Sequence, residues 1–126
     1  MSKILVIDDS RMMRLYLRRA LEKAGHDVVE WMPLSAMEIP AKVAELAPDL
    51  VLCDYQMDGA NGATVARMVR RTDPDLPVLV LTAFHEDQME ANLLRLGVRR
   101  VLDKPILHGD LAEAVAEALG SVGQPG

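Results

Sequence analysis

Acidic and basic side chains stand directly after short apolar runs at separate points of this sequence. Asp8 and Asp9 follow the run KILVI, and Asp54 follows DLVLC. Thr82 closes the run VLVLT, and Lys104 comes shortly after the last run. If the runs are neighbouring strands, the carboxylates converge, and unit charges about 4 Å apart repel by several kcal/mol at protein-like dielectric. A bound cation would relieve that repulsion.

The residue types at these positions suit the transfer of a phosphoryl group. An oxygen-only site with two or three carboxylates favours a hard divalent cation, above all Mg²⁺. A carboxylate can also act as a nucleophile toward phosphorus. Because the transition state carries charge on the equatorial phosphoryl oxygens, positioning and electrostatics do most of the catalysis. Mg²⁺, the Lys104 ammonium, and the Thr82 hydroxyl with a backbone N–H could each contact one of these oxygens.

Alternating apolar runs and amphipathic stretches predict the elements that position these side chains. Pro40 is tolerated only in the first turn of a helix, so the second helix either starts late, near Glu38, or is kinked, and the late start is favoured. The predicted strands are 3–7, 27–31, 49–53, 78–82 and 98–102, and the predicted helices are 11–24, about 38–47, about 63–71, about 87–96 and about 108–119.

Strands that are apolar almost throughout and alternate with helices predict an α/β fold. The sheet is expected to be parallel and covered by helices on both faces, which makes a three-layer sandwich. In such sheets, ligands bind beyond the carboxyl ends of the strands, at a switch point of the strand order. Asp8, Asp54 and Lys104 are therefore expected at one edge of the sheet.

Length and composition narrow the class of protein. The 126 residues match one domain, and 50% hydrophobic with 26% charged residues is an ordinary globular balance. A net charge of −5 disfavours nonspecific binding to DNA or an anionic membrane, and the few aromatic residues offer little to stack a flavin ring. Cys53 is a single cysteine, and no apolar run approaches the roughly 20 residues of a membrane span. We expect a soluble, cytoplasmic protein that binds other proteins.

Four strand ends carry motifs that form one set. They are Asp8–Asp9, Asp54 at the head of DYQMDGANG, Thr82–Ala83 and Lys104–Pro105. Together they resemble the receiver domain of bacterial two-component response regulators, over about residues 3–120. The resemblance implies a flavodoxin-like fold with strand order 2-1-3-4-5, as in the chemotaxis receiver. It assigns 1–120 to a receiver domain and leaves 121–126 as a flexible tail or the start of a linker.

The resemblance also implies a phosphoacceptor and a metal site. Asp54 would accept the phosphoryl group from a histidine kinase or a phosphotransfer protein. Asp9, Asp54 and the backbone carbonyl of Gln56 would ligate Mg²⁺ directly, and Asp8 would act largely through a bound water. The protein would catalyse its own phosphorylation and dephosphorylation but turn over no separate substrate.

The remaining implied residues belong to the response to phosphorylation. Lys104 would contact the phosphoryl group, the Lys104–Pro105 peptide bond would be cis, and Thr82 would move toward a phosphoryl oxygen. The resulting shift in conformational population would change contacts with a downstream effector protein or an output domain.

Some positions depart from the family pattern. Asp58 follows Met57 where proline is usual, Val101 stands where tyrosine or phenylalanine is common, and 99–100 are arginines where acidic residues are common. Because of Asp58 and Val101, a receiver that binds partners without phosphorylation remains an alternative. The tail GSVGQPG is compatible with a second alternative, in which the chain is the N-terminal fragment of a longer regulator with an output domain. For the pair 8–9 alone, capping of the first helix is the simpler interpretation, and the matches at the other strand ends favour the site.

Overall fold

The computed structural model describes residues 2–57 and 60–120, in which strands and helices alternate. The strands of the main sheet are β1 Lys3–Ile7, β2 Asp27–Trp31, β3 Leu50–Asp54, β4 Val78–Thr82 and β5 Arg100–Asp103. The helices are α1 Arg11–Lys23, α2 Ile39–Leu46, α3 Gly62–Thr72, α4 Asp87–Arg95 and α5 His108–Gly120. Two-residue strands at Gln56–Met57 and Ala60–Asn61 form a separate antiparallel hairpin, and Ala36–Glu38 is a 3-10 helix.

All strands of the main sheet are parallel, and their order is β2-β1-β3-β4-β5. This confirms the flavodoxin-like order that the resemblance implied. Ile7 of β1 lies opposite Cys53 of β3, so the residue that follows each of them is brought to the same level. Thr82 of β4 lies opposite Asp103 of β5 in the same way. The register therefore brings the candidate site residues to one edge of the sheet.

Alternate residues of each strand enter one of two apolar cores, because successive side chains point to opposite faces of a sheet. One core packs the sheet against α1 and α5, and the other packs it against α2, α3 and α4. The buried strand residues of the first core are Ile4, Val6, Val28, Leu50, Leu52, Leu79, Leu81 and Leu102, and those of the second are Leu5, Ile7, Val51, Cys53, Val78, Val80 and Val101. Two covered faces explain the continuous apolar runs.

Local capping explains where several helices begin. Ser10 caps α1 by accepting the N–H of Met13 at 3.2 Å. The second helix starts late, as expected, with Pro40 in its first turn. Gly62 begins α3 so close to β3 that an added Cβ would lie 3.2 Å from the Cα of Tyr55. A larger residue there would push α3 away from the loop that follows Asp54.

The structure corrects the sequence prediction at two places. The stretch after Asp54 was expected as loop, but it contains the hairpin. The last strand was expected from Val98 and starts at Arg100, because the Val98 N–H donates to the carbonyl of Leu93 and so closes the end of α4. The expectations for Asp58 and for the tail 121–126 lie outside the described residues. Among the described helices, none is both long enough and apolar enough to cross a membrane.

Candidate functional site

Two carboxylates flank one ammonium group at the carboxyl edge of the sheet. The Nζ of Lys104 lies 3.3 Å from Oδ2 of Asp8 and 3.0 Å from Oδ1 of Asp54. The Asp8 side chain is fully buried, and the side chains of Lys104 and Asp54 are 17% and 12% exposed. These charges are close together and largely shielded from solvent, so they interact strongly, while Asp54 keeps some access to solvent.

Asp8 is fixed by the start of α1. Its Oδ1 accepts the N–H of Ser10 at 2.8 Å, and its backbone carbonyl accepts from the guanidinium of Arg14 at 2.6 Å. The side chain that caps α1 is that of Ser10. The capping interpretation of the pair 8–9 is therefore wrong for the helix itself, and the Asp8 carboxylate is left to face Lys104.

Lys104 and Thr82 are held together by the last two strands of the sheet. The Lys104 N–H donates to the carbonyl of Thr82 at 2.8 Å. The Lys104–Pro105 peptide bond is cis, as the resemblance implied. Thr82 is buried, and its Oγ1 accepts the N–H of Phe84 at 3.1 Å. Both side chains thus belong to the same edge as the two carboxylates.

Asp9 completes a group of three carboxylates. One oxygen from each of Asp8, Asp9 and Asp54 can be chosen so that all lie within 4.8 Å of one another. The exposed Asp9 also lines an open cavity of about 510 Å³ with Gln56 of the hairpin. An all-oxygen donor set of this size fits a hard divalent cation.

Burial and charge change the acidity of groups at the site. Burial raises the pKa of Asp8, and the nearby Asp54 charge adds to this, while the Ser10 N–H and Lys104 oppose it. Burial also raises the pKa of the Cys53 thiol, with smaller contributions from the same carboxylates. Cys53 is therefore a neutral, buried thiol that packs as a small hydrophobic residue.

His85 takes part in a cluster beside the site that sequence reasoning missed. Its Nδ1 lies 2.6 Å from Oδ1 of Asp103, which precedes Lys104, and its Nε2 lies 3.3 Å from Oε2 of Glu90 on α4. The pairing depends on where the loop after β4 folds, and no spacing in the sequence indicates that position. His85 links this loop to α4 and to the end of β5.

We expect Asp103→Asn to lower the pKa of His85, because the hydrogen bond to Asp103 is the main cause of its raised pKa. In the unmodified protein this pairing stabilises the fold fully below about pH 6.5, and the contribution is lost as pH rises through the folded-state pKa. Titration of the His85 ring by NMR measures the change. Asp75→Asn, at the turn before β4, is the control and should leave His85 unchanged; a similar shift in both variants would contradict the assignment.

Comparison with known proteins identifies related sequences and structures. Residues 4–116 match the family model described as response regulator receiver domain. The response regulator protein VraR of Staphylococcus aureus (strain NCTC 8325 / PS 47) is 34% identical over 113 residues, which are 90% of this chain and 54% of VraR. The chemotaxis protein CheY of Thermotoga maritima is 27% identical, with 90% of this chain and 93% of CheY aligned.

The fold is also similar to solved structures. The signal receiver domain of NarL from Mycobacterium tuberculosis superposes with a TM-score of 0.86 at 27% identity, covering 95% of this chain and 97% of that chain. The matched proteins differ in length: this chain spans about half of VraR and nearly all of CheY.

Proposed function

The chain belongs to the response regulator receiver domain family, with a phosphoacceptor role in two-component signalling, and from this premise we propose that Asp54 is the residue phosphorylated. The observation that carries the proposal is the position of the Asp54 carboxylate, which is 3.0 Å from the Lys104 ammonium and keeps 12% of its side chain exposed. An incoming phosphoryl group can reach an oxygen of Asp54 from solvent. The buried Asp8 has no such access.

In the proposed reaction, an oxygen of Asp54 attacks the phosphorus atom of the donor. The new O–P bond forms as the donor's bond to phosphorus breaks, and the leaving group keeps the electron pair. Lys104 is close enough to follow the phosphoryl group, because its Nζ already contacts the acceptor carboxylate. The hydroxyl of Thr82 now accepts the Phe84 N–H, and in the phosphorylated protein it would donate its own O–H to a phosphoryl oxygen.

The proposed metal ligands are Asp9, Asp54 and the Gln56 carbonyl, with Asp8 acting largely through water. Three carboxylates and one ammonium leave a formal charge of −2 at the site, which a divalent cation neutralises. When bound, Mg²⁺ would shield the acceptor from its neighbouring carboxylates and stabilise charge on the phosphoryl oxygens. Asp9 is exposed at the cavity, so its side chain can rotate toward an ion without any unfolding of the backbone.

The proposed activity is self-modification. The protein would catalyse its own phosphorylation and dephosphorylation and turn over no other substrate. Its partners would be a cytoplasmic histidine kinase or phosphotransfer protein and a downstream effector. Residues 1–120 would form the receiver domain, followed by a tail or linker. The relation to VraR supports a second candidate, in which this receiver precedes an output domain.

Phosphorylation of the purified protein by acetyl phosphate tests the proposal. With Mg²⁺ present, intact-protein mass spectrometry is expected to find one added phosphoryl group, and excess EDTA is expected to prevent the addition. A protein that stays unmodified with Mg²⁺ and fresh acetyl phosphate, but still binds partner proteins, would instead favour a receiver that works without phosphorylation.

We expect Asp9→Asn to weaken Mg²⁺ binding by at least about tenfold, since even groups that support metal ligands change affinity by about 10- to 100-fold. The amide keeps the size of the side chain and removes one negative charge. Isothermal titration with Mg²⁺ measures the affinity. Asp27→Asn is the matched control, because Asp27 is an exposed carboxylate at the start of β2, at the opposite edge of the sheet. Equal affinities in the two variants would remove Asp9 from the metal site.

A further inference from the structure

A groove separates α3 from α4 on the flank of the molecule. It consists of two cavities of about 500 Å³ and 180 Å³ that share Leu96, and it runs from the end of the sheet near Tyr55 to the turn before β4. Because α3 has 11 residues, the groove follows a helix about 16 Å long. A groove of this length can receive side chains from about three turns of another helix.

The floor of the groove is apolar, and its rim is basic. Met89 and Leu96, both half-buried, supply apolar surface from the α4 side, and the buried Leu93 lies beneath them. The side chain of Arg67 on α3 is exposed on the rim and has no hydrogen bond or ion pair with any other residue in the described ranges 2–57 and 60–120. Its charge is therefore available to a ligand.

Two further arginines of the rim are held by neutral oxygens. The Arg95 guanidinium donates to Oδ1 of Asn92 at 2.8 Å, and Arg70 donates to the backbone carbonyl of Arg95 at 3.2 Å. Amide and carbonyl oxygens orient a guanidinium without neutralising it. The groove thus keeps a concentrated positive charge, although the whole chain has a net charge of −5.

From this pairing of an apolar floor with unneutralised arginines, we infer that the α3–α4 groove binds an acidic amphipathic segment of a partner protein. The apolar side chains of the segment would cover Met89 and Leu96, and its carboxylates would meet Arg67 and Arg95. Nucleic acid is the less suitable occupant, because the α4 side of the floor has no aromatic side chains on which its bases could stack. Binding does not require Asp54 to be phosphorylated.

A designed peptide is the probe for this groove. The probe is a helical peptide of about 14 residues with leucines on one face and glutamates on the rest of its surface. In the control peptide, lysines replace the glutamates, so that the charge is reversed. In NMR titrations of the isotopically labelled protein, the acidic peptide is expected to shift amide signals of Ala63, Arg67, Leu93 and Leu96. The control peptide is expected to leave them in place.

Charge reversal within α3 provides a matched pair of variants. Arg67→Glu is expected to weaken peptide binding at least tenfold, and Arg71→Glu is expected to change it less than twofold, because Arg71 is exposed on the same helix but lines neither cavity. Both variants change the net charge equally. Circular dichroism checks that each is folded.

Several outcomes would overturn the inference. One is the absence of shifts in the groove signals with the peptide at about 1 mM, a concentration that corresponds to roughly 4 kcal/mol of binding free energy. The others are an equal loss of peptide affinity in the two variants, and tighter binding of a short DNA duplex than of the acidic peptide. Failure of phosphorylation at Asp54 would leave all these measurements unaffected, so the two proposals are tested separately.

Discussion

Asp54→Asn is expected to abolish phosphorylation by acetyl phosphate in the presence of Mg²⁺. An amide has nearly the shape of a carboxylate, but it lacks the negative charge and the nucleophilic oxygen that attack phosphorus. Asp54 is the last residue of β3, and only a small fraction of its side chain is exposed. No other carboxylate occupies this position when Asp54 is replaced. Intact-protein mass spectrometry measures the added group.

The control for this variant is Asp103→Asn. Asp103 is an exposed carboxylate at the end of β5, next to Lys104 in the chain, and it is not among the three clustered carboxylates. We expect the Asp103→Asn variant to be phosphorylated to the same extent as the unmodified protein. Labelling that persists in Asp54→Asn would mean that the acceptor is another residue, and peptide mapping would locate it.

Most of the fold could be predicted from the sequence because its strands are covered on both faces. Short, continuous apolar runs such as 78–82 and 3–7 favour strands that are buried on both faces, and the structure has strands at these residues. The meeting of Asp8, Asp54 and Lys104 then follows from parallel strands that end at one edge. Residue type at a strand end was sufficient evidence, because the sheet itself brings distant residues together.

Other features depend on distances that periodicity does not encode. The hairpin after Asp54 has two-residue strands, too short to show an alternating pattern. The pairing of His85 with Asp103 depends on how one loop folds over the end of β5. The α3–α4 groove is a gap between helices, and its arginines appear in the sequence only as ordinary exposed residues. The strand ends can therefore be predicted from the sequence, whereas the loop contacts and the groove cannot.

Val101 limits how the proposed activation can proceed. It is 6% exposed and packs in the core beneath α2, α3 and α4. An aliphatic side chain in that position has no ring to turn inward after phosphorylation. The response proposed here would therefore depend on Thr82, whose present hydrogen bond to Phe84 N–H fixes the start of the loop after β4.

Lys104→Ala is expected to retain Mg²⁺ binding and to lose the structural response to phosphorylation. The ammonium contacts both Asp8 and Asp54, so its removal takes away a positive charge that repels the metal. Mg²⁺ affinity should stay the same or increase. The phosphoryl group, however, would lose the cation that connects it to the end of β5.

The same variant should be less stable without metal. Removing one partner of a buried ion pair leaves uncompensated charge, which costs about 3–5 kcal/mol when the pair is fully buried and less here because Lys104 is 17% exposed. Mg²⁺ would offset part of this loss by binding only the folded state. Since burial already raises the pKa of Asp8, lowering the pH toward the unfolded value of about 3.9 would relieve the remaining repulsion by protonating it.

Urea unfolding with and without Mg²⁺ measures the stability of this variant, and NMR spectra with the phosphoryl mimic beryllofluoride measure its response. Lys23→Ala is the control, because Lys23 is an exposed lysine at the far end of α1. The control should keep the signal changes at Thr82 and in the loop after β4, and Lys104→Ala should lose them while still binding Mg²⁺. Signal changes of normal size in Lys104→Ala would refute the role given to the lysine, because its contact with Asp54 would then be structural and unrelated to signalling.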